Sequence, residues 1–408
     1  MGEVRYLVMV SADSNNNKFY RMLPNGDGTW TAEYGRVGNS PAIQKYPMSK
    51  FETKYREKIR KGYIDQTKLV QDIIVAKTPK NEEEYKKIEN EAIAEIVKKL
   101  IHMANIAISN NYTISSDKVT VAMVDEAQQI IDDLSSINGV YLFNNYLEKL
   151  FVTIPRKMGS VSDYLANSKD DFAKIIKREQ DLLDVMRGNV VSSCNSDDDD
   201  DRATGNETIL EKYGLVFEDC DDKDVEIIKK ALKESSYKFS RAWKVTNLAT
   251  QKKYDEFIKK NKIRKKKLLF HGSRNENWWS IIKTGLKLRP ANAVITGKMF
   301  GIGMYFATKA KKSIGYTSLK GSYWANGRAD VGYVALMEVA YGTPFDVYDF
   351  NSKYYSLNYE QLQKYKHGAN CLHAHAGANL GYTSLKNDEI VIYKEEQCTI
   401  KYLVELKN

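Results

Sequence analysis

The spacing of apolar residues changes twice along the chain, and this change constrains the fold more than any other feature. In the first 66 residues apolar and polar positions alternate, which predicts β-strands at Arg5–Ala12, Lys18–Leu23 and Thr29–Val37. From about Thr67 the apolar positions recur every three or four residues, which predicts amphipathic helices. Strand-like segments return after the acidic run Asp197–Asp201. We therefore predict an α+β multidomain protein.

The length of 408 residues agrees with several domains, because one hydrophobic core rarely serves so long a chain. We predict a small β-rich domain over 1–66, an all-α bundle over 67–188, an acidic linker over 189–206 and a mainly β domain over 207–408. The five consecutive aspartates indicate the linker, because they repel one another and offer nothing to bury. The last domain has no regular alternation of strand and helix, which excludes a doubly wound or barrel fold.

Individual elements follow from the same patterns. The predicted helices are Lys50–Lys61, 118–134, 141–152, 161–187 and Asp222–Glu234. The predicted strands of the last domain are Lys267–Phe270, Tyr333–Val339, Ile390–Tyr393 and Thr399–Leu406.

Composition and charge narrow the class of function. The chain has 62 Lys and Arg against 53 Asp and Glu, a net charge of +9, which is a weak indication of a polyanionic partner. Its four cysteines form no CxxC pair, which excludes a disulfide scaffold and a cysteine-based zinc finger. No apolar run approaches 18 residues, so we expect no membrane span. His373 and His375 lie close together but have no evident partner cluster in the sequence, so we predict no metal site.

Four short segments near the carboxyl end carry the candidate chemistry. They are Leu268–Arg274 (LLFHGSR), Thr296–Ala307 (TGKMFGIGMYFA), Ser313–Tyr316 (SIGY) and Asn387–Tyr393 (NDEIVIY). The second contains a glycine pattern similar to a dinucleotide fingerprint, but it does not lie between a strand and a helix. Taken together, in this order and spacing, the four segments resemble the poly(ADP-ribose) polymerase family.

The resemblance extends towards the amino terminus. The segment Tyr34-Gly-Arg-Val-Gly resembles the signature of the WGR DNA-binding module, with tyrosine where tryptophan is usual. The helical region resembles the regulatory domain of the same family. Residues 1–66 hold eleven basic and seven acidic side chains, which favours contact with phosphates. The resemblance therefore implies that broken or nicked DNA binds here. The DNA-binding candidates are Tyr34, Arg36, Lys50 and Lys54.

The resemblance implies that NAD⁺ is the substrate. Its family places the nicotinamide ring between two tyrosines, here Tyr305 and Tyr316. The backbone of Gly272 and the hydroxyl of Ser313 would bind the carboxamide, and His271 would bind a ribose hydroxyl. Each of these residues, taken alone, is also compatible with ordinary packing.

Glu389 completes the implied catalytic set with His271 and Tyr305. By resemblance, its carboxylate binds the ribose 2′-hydroxyl, stabilises positive charge on the anomeric carbon and accepts a proton from the acceptor. Glu389 beside Asp388 is also compatible with a solvated strand end, but its place just before Ile-Val-Ile-Tyr favours function. The residues implied for the adenosine half are Ser273, Asn277, Ser280 and Lys287.

The resemblance thus predicts a DNA-break-stimulated ADP-ribosyltransferase of the DNA damage response that forms poly(ADP-ribose). It would modify proteins, itself included, and release nicotinamide in the nucleus or another compartment that contains DNA. No metal and no membrane partner are expected. Asn387 stands where polymer-forming relatives often carry tyrosine, and the segment 340–386 is short and rich in Ala, Gly and His. Two alternatives therefore stay open: transfer of a single ADP-ribose, and a catalytically silent scaffold that binds DNA ends.

Overall fold

The computed structural model describes residues 3–37, 39–67, 85–112, 119–194, 207–288, 299–381 and 383–408. The side chains of 191–194 are not described, and the predicted acidic run Asp197–Asp201 lies outside the described residues. The described residues cluster into two compact units. Unit 1 takes in those of 1–82 and 105–199, and unit 2 those of 83–104, 200–291 and 297–408. The four predicted domain ranges stay predictions.

The amino-terminal part of unit 1 is a five-stranded antiparallel sheet followed by a helix. Its strands are β1 (Arg5–Ser11), β2 (Asn16–Pro24), β3 (Thr29–Arg36), β4 (Ala42–Pro47) and β5 (Ile64–Asp65), in the spatial order β4-β3-β2-β1-β5. Helix α1 (Phe51–Arg60) packs on this sheet around the buried Trp30, whose ring stacks on Tyr46 and meets Phe51 edge-on. The three strands and the basic helix predicted here are confirmed.

The remainder of unit 1 is helical, as predicted. Its helices are α3 (Val121–Leu134), α4 (Val140–Thr153) and α5 (Phe172–Cys194), and α2 (Glu91–Asn111) is divided between the two units after Ala104. The predicted start of a helix at residue 161 is wrong. Ser168 and Asp171 form a capping box that satisfies the first backbone donors of the final helical segment. Continuous helix therefore begins only after Ser168.

A buried arginine joins the sheet of unit 1 to its helices. Arg156 is 2 % exposed, forms an ion pair with Glu179 and donates from Nε to the carbonyl of Asn111 over 3.0 Å. Its own carbonyl accepts a hydrogen bond from Nδ2 of Asn17 in β2, also over 3.0 Å. Because both charges of the pair are buried, removal of either partner would leave an uncompensated charge in the interior.

Unit 2 is built on a nine-stranded sheet of spatial order β11-β12-β13-β9-β8-β10-β14-β7-β6, antiparallel except for the β11–β12 pair. Its strands are β6 (Leu215–Asp219), β7 (Phe239–Asn247), β8 (Lys267–Gly272), β9 (Met304–Ala307), β10 (Val331–Val339), β11 (Pro344–Asp349), β12 (Cys371–Asn379), β13 (Glu389–Ile392) and β14 (Cys398–Lys407). Its further helices are α6 (Ile209–Lys212), α7 (Asp222–Leu232), α8 (Leu248–Asn261), α9 (Trp278–Thr284), α10 (Ala310–Ile314) and α11 (Tyr359–Tyr365).

Short 3₁₀ turns occur in both units. They lie at Met48–Lys50, Ser162–Tyr164, Lys169–Asp171, Lys233–Lys238, Asn275–Asn277, Ser352–Ser356 and Glu395–Gln397.

The four strands predicted in the last domain are confirmed, but several others were not predicted. The clearest omission is β12, whose sequence CLHAHAGAN is poor in β-branched and aromatic residues. Its strand conformation comes from the neighbours on both sides, where Cys371, Leu372 and Ala374 are fully buried. Among the helices of the described ranges, none has the length and apolar character needed to cross a bilayer.

Replacing Trp30 by alanine should open the amino-terminal sheet. Trp30 is fully buried, so truncation leaves a cavity and should lower the local free energy of unfolding by about 3–5 kcal/mol. Hydrogen exchange of peptides from β1 to β3, measured in the whole chain, reports this loss. Ile43→Ala on the neighbouring β4 is the control, because Ile43 is 68 % exposed and should change protection little. Equal protection in both variants would contradict this account of the core.

Candidate functional site

The short strand β9 brings three of the four candidate segments together. It lies between β8 and β13, and its residue Ala307 is opposite Phe270 on one side and Glu389 on the other. Tyr305 is two residues earlier on β9, so the alternation of side chains places Tyr305 and Glu389 on the same face of the sheet. His271 directly follows Phe270 at the end of β8.

The fourth segment approaches the site through a glycine contact. A Cβ built on Gly272 would lie 1.9 Å from the carbonyl oxygen of Ser313, which is buried in α10. No side chain fits that space, so α10 can pack against the end of β8 only if residue 272 is glycine. The contact places Gly272 and Ser313 side by side.

Two tyrosines border the same space. The Tyr305 hydroxyl accepts a hydrogen bond from the backbone N–H of Phe300 and donates one to the carbonyl of Gly301, both over 3.0 Å. Burial and the nearby Glu389 carboxylate raise the pKa of Tyr316 to about 12, and burial also raises the pKa of Tyr305. Both rings are therefore neutral at pH 7, which suits stacking against a flat aromatic ligand.

The imidazole of His271 is held in one orientation. Its Nδ1 lies 3.1 Å from the carbonyl oxygen of Tyr305, and because a carbonyl only accepts, Nδ1 carries the proton. The ring also contacts Trp278 edge-on and Phe306 at a tilt, with centroid separations of 6.5 and 5.9 Å. His271 is thus joined directly to the strand that carries Tyr305.

Glu389 has a partner that the sequence did not reveal. The ammonium group of Lys312, in α10, donates a hydrogen bond to Oε1 of Glu389. The other oxygen, Oε2, is buried and has no hydrogen-bond partner among the described residues. A buried acceptor left unpaired is costly, so this atom indicates that a ligand supplies the missing donor. The only sequence signal for Lys312 is its position directly before Ser313.

The four residues predicted for the adenosine half differ in burial and in hydrogen-bond partners. Nδ2 of Asn277 donates to Oγ of Ser273 over 2.9 Å, which brings these two together, and Oδ1 of Asn277 is buried without a partner in the described part of the chain. Ser280 is buried in α9. Lys287 is engaged elsewhere: its Nζ lies 2.8 Å from Oε2 of Glu395.

The candidate DNA-binding residues lie in the amino-terminal sheet and α1. Tyr34 stacks on Tyr20 with a centroid separation of 5.5 Å, so one side of its ring rests on the core. The guanidinium of Arg36 donates to the carbonyls of Asn15 over 2.9 Å and Gly159 over 2.8 Å. Neither of these bonds cancels its charge, because both acceptors are neutral.

The other two candidates, Lys50 and Lys54, lie just before α1 and in its first turn. Lys50 is exposed at the start of α1. Lys54 is paired with Glu57 over 2.8 Å, and its side chain is 30 % exposed. A phosphate can therefore reach Lys50 directly but must compete with a carboxylate for Lys54.

Two family descriptions match parts of the chain. Residues 222–408 match the family description "Poly(ADP-ribose) polymerase catalytic domain", and residues 3–70 match "WGR domain". The chain is 33 % identical over 183 residues to "Uncharacterized protein 101L" of Invertebrate iridescent virus 6, a match that covers 44 % of this chain and 74 % of that protein.

Two further relatives carry polymerase names. "Poly [ADP-ribose] polymerase 1" of Gallus gallus is 25 % identical over 316 residues, which cover 70 % of this chain but only 29 % of the chicken protein. "Putative poly [ADP-ribose] polymerase-like 100L" of Invertebrate iridescent virus 6 is 29 % identical over 187 residues, covering 45 % of this chain and 93 % of the viral one. This chain thus spans less than a third of the chicken relative.

Replacing Gly272 by alanine should separate α10 from β8. The new methyl group would overlap a backbone carbonyl, which cannot rotate away, and overpacking of this kind costs about 1–3 kcal/mol. Scanning calorimetry should show the transition of unit 2 several degrees lower. Gly159→Ala is the control, because a Cβ at residue 159 meets nothing within 4 Å and the backbone there needs no glycine. An unchanged transition in Gly272→Ala would show that the close approach does not hold the site.

Proposed function

Because the chain belongs to the poly(ADP-ribose) polymerase family and carries the NAD⁺ ADP-ribosyltransferase domain of that family, we propose that it modifies proteins, itself included, in response to broken DNA. The observation that carries the proposal is the arrangement around Glu389. Its buried Oε2 lacks a partner in the described part of the chain, while Tyr305, Tyr316 and His271 lie around the same end of the sheet.

The nicotinamide ring lies between Tyr305 and Tyr316 in the proposed complex. Its carboxamide accepts from the backbone N–H of Gly272, donates to the carbonyl of that residue and contacts the hydroxyl of Ser313. His271 binds a ribose hydroxyl, and the carboxylate of Glu389 accepts from the 2′-hydroxyl of the ribose that carries nicotinamide. The close packing of Gly272 on Ser313 supports this pose, since it brings the two residues that would bind the carboxamide side by side.

Transfer breaks the bond between the ribose C1′ and the nicotinamide nitrogen. The electron pair of that bond leaves with nicotinamide, which becomes neutral, and positive charge develops on the sugar. Glu389 stabilises this charge electrostatically, and the acceptor oxygen then bonds to C1′ and gives up its proton to the carboxylate. Lys312 holds the other carboxylate oxygen, so the group keeps one orientation through the reaction.

DNA binding is assigned to the amino-terminal module. Eleven basic side chains against seven acidic ones in residues 1–66, and the match of 3–70 to the WGR domain, support it. Arg36, Lys50 and Lys54 would contact phosphates, and Tyr34 would stack on a sugar or base. We propose that binding loosens the helical region, which otherwise restrains access of NAD⁺, and that the protein works in the nucleus or another compartment that contains DNA.

Transfer of a single ADP-ribose is the second candidate function. It is favoured by Asn387, which lies two residues before Glu389 where polymer-forming relatives often carry tyrosine. The two candidates share the first transfer and differ only in whether ADP-ribose itself then serves as acceptor. A gel that separates ladders from single additions distinguishes them.

Incubation with labelled NAD⁺ should give protein-linked ADP-ribose, and nicked DNA should increase it. Glu389→Gln removes the charge and the proton acceptor but keeps the shape, so elongation should fall by at least about 100-fold while NAD⁺ binding persists. Glu360→Gln is the matched control, since Glu360 is exposed on α11 and belongs to no part of the proposed site. The proposal fails if folded protein attaches no ADP-ribose with DNA present, and the role of Glu389 fails if its variant elongates normally.

DNA affinity should depend on salt through the basic residues of α1. Each phosphate contact contributes about 0.9 to the slope of log K against log salt, so Lys50→Gln with Lys54→Gln should reduce the magnitude of that slope by up to about 2. Titration of fluorescent nicked DNA at several salt concentrations measures it. Lys364→Gln, on the exposed surface of α11, should leave the slope unchanged. Identical slopes in all proteins would place the DNA contacts elsewhere.

A further inference from the structure

A cluster of two histidines and two aspartates lies at one edge of the unit 2 sheet. His373 and His375 are two residues apart on β12, so both side chains project from the same face. Asp346 of β11 is the parallel partner of His373, and Asp388 directly precedes β13. Four chemistry-bearing residues from three neighbouring strands thus meet, although the sequence shows only the two histidines close together.

The distances within the cluster suit a single ion. One donor atom each from Asp346, His373 and His375 lies within 4.8 Å of the other two. Nε2 of His375 is 2.7 Å from Oδ1 of Asp346, and Nδ1 of His373 is 3.9 Å from that same oxygen. On the other side, Nε2 of His373 is 3.5 Å from Oδ2 of Asp388.

We propose that Asp346, His373 and His375 bind a divalent transition metal ion through Oδ1, Nδ1 and Nε2, with Asp388 as an outer partner of His373 and Zn²⁺ as the probe that defines the site. Zinc takes imidazole nitrogen at about 2.0–2.1 Å and carboxylate oxygen at about 2.0–2.2 Å in tetrahedral sites. Two ligands on one tetrahedral zinc are then about 3.3 Å apart, so side-chain shifts of roughly 1 Å are enough. Imidazole ligands favour zinc over the hard cations Mg²⁺ and Ca²⁺.

The second nitrogen of His373 faces a carboxylate. Its Nε2 is buried 3.5 Å from Oδ2 of Asp388, an outer contact of the kind that orients metal-binding histidines. The hydroxyl of Tyr341 lies 2.8 Å from Nδ1, where the ion would replace it. The ring of Tyr348 stacks on His375 with a centroid separation of 4.5 Å, which holds the second imidazole.

Two nearby lysines oppose the binding of a cation, and one of the ligands is open to solvent. The ammonium groups of Lys265 and Lys267 lie 4.9 and 3.7 Å from the centroid of the Tyr341 ring. They weaken the attraction for a cation but, being protonated, offer no lone pair to the metal. The side chain of Asp346 is 35 % exposed, which gives an ion a path from solvent.

The cluster is separate from the proposed catalytic carboxylate. Ala374 is the ladder partner of Glu389, so those two side chains share a face. His373 and His375 flank Ala374 and therefore project from the opposite face. The ion would fasten β11, β12 and the start of β13 without touching NAD⁺, and its role would be structural.

Zinc binding to the untagged full chain tests the proposal without NAD⁺ or DNA. Competition with a chromogenic zinc chelator should show one tight site in the natural protein, and saturating zinc should raise the Tm of unit 2. His375→Ala and Asp346→Asn should each weaken zinc binding by at least about 100-fold, because removing a ligand should cost at least as much as removing an outer contact. The same two variants should lose the rise in Tm.

His102→Ala and His367→Ala are the controls, since both histidines are exposed and lie outside the cluster. They should keep one tight site and the full rise in Tm. The proposal is overturned if the natural protein binds no zinc equivalent tightly, or if His375→Ala binds zinc as well as the controls do. Because the assay involves no transfer reaction, its failure would leave the proposed ADP-ribosyltransferase function untouched.

Discussion

The pairing of β9 with both β8 and β13 is the constraint on which the rest of the candidate site depends. Ala307 is opposite Phe270 and Glu389 at once, so one residue fixes the relative positions of three sequence-distant segments. The glycines before β9 make this possible. A Cβ at Gly303 would lie 2.2 Å from a methyl group of Val391, and Gly301 adopts a positive φ where a Cβ would overlap the backbone. The run that resembles a phosphate-binding loop therefore serves strand packing.

The candidate site combines two neutral aromatic rings with one buried ion pair. Phenols are neutral at pH 7, and burial raises the pKa of Tyr305 and Tyr316 further, so the two rings stay neutral beside a charged pair even in alkaline solution. Lys312 satisfies one oxygen of Glu389 and leaves the other in a buried position without a partner among the described residues. Such a group is costly in the free protein, and in the proposed complex a ribose hydroxyl satisfies it. The carboxylate is held in position before any ligand binds, which is the condition for electrostatic stabilisation of a developing positive charge.

The sequence predicts best where one backbone requirement selects one residue type. The glycine of the His-Gly-Ser segment has no substitute, and its contact with Ser313 could be anticipated from the motif. Lys312 could not, because its role arises from a pairing between residues 77 apart that no local pattern encodes. Strand β12 was missed for a related reason: its composition disfavours a strand, and burial between β11 and β13 overrides that preference. The prediction of no metal site stays a prediction; it considered only His373 and His375, because Asp346 is adjacent to them in space and not in sequence.

Two consecutive residues, Asp388 and Glu389, direct their carboxylates to opposite faces of the sheet. One contacts His373, and the other lies beside Lys312. Because side chains alternate along a strand, a slip of one residue in β13 would exchange them and dismantle both sites together. Ile390 and the two apolar residues that follow it are all fully buried, so both faces of β13 are apolar and burial alone does not select the register. The pairings of Glu389 with Ala307 and Ala374 set the register, and with it the direction of both carboxylates.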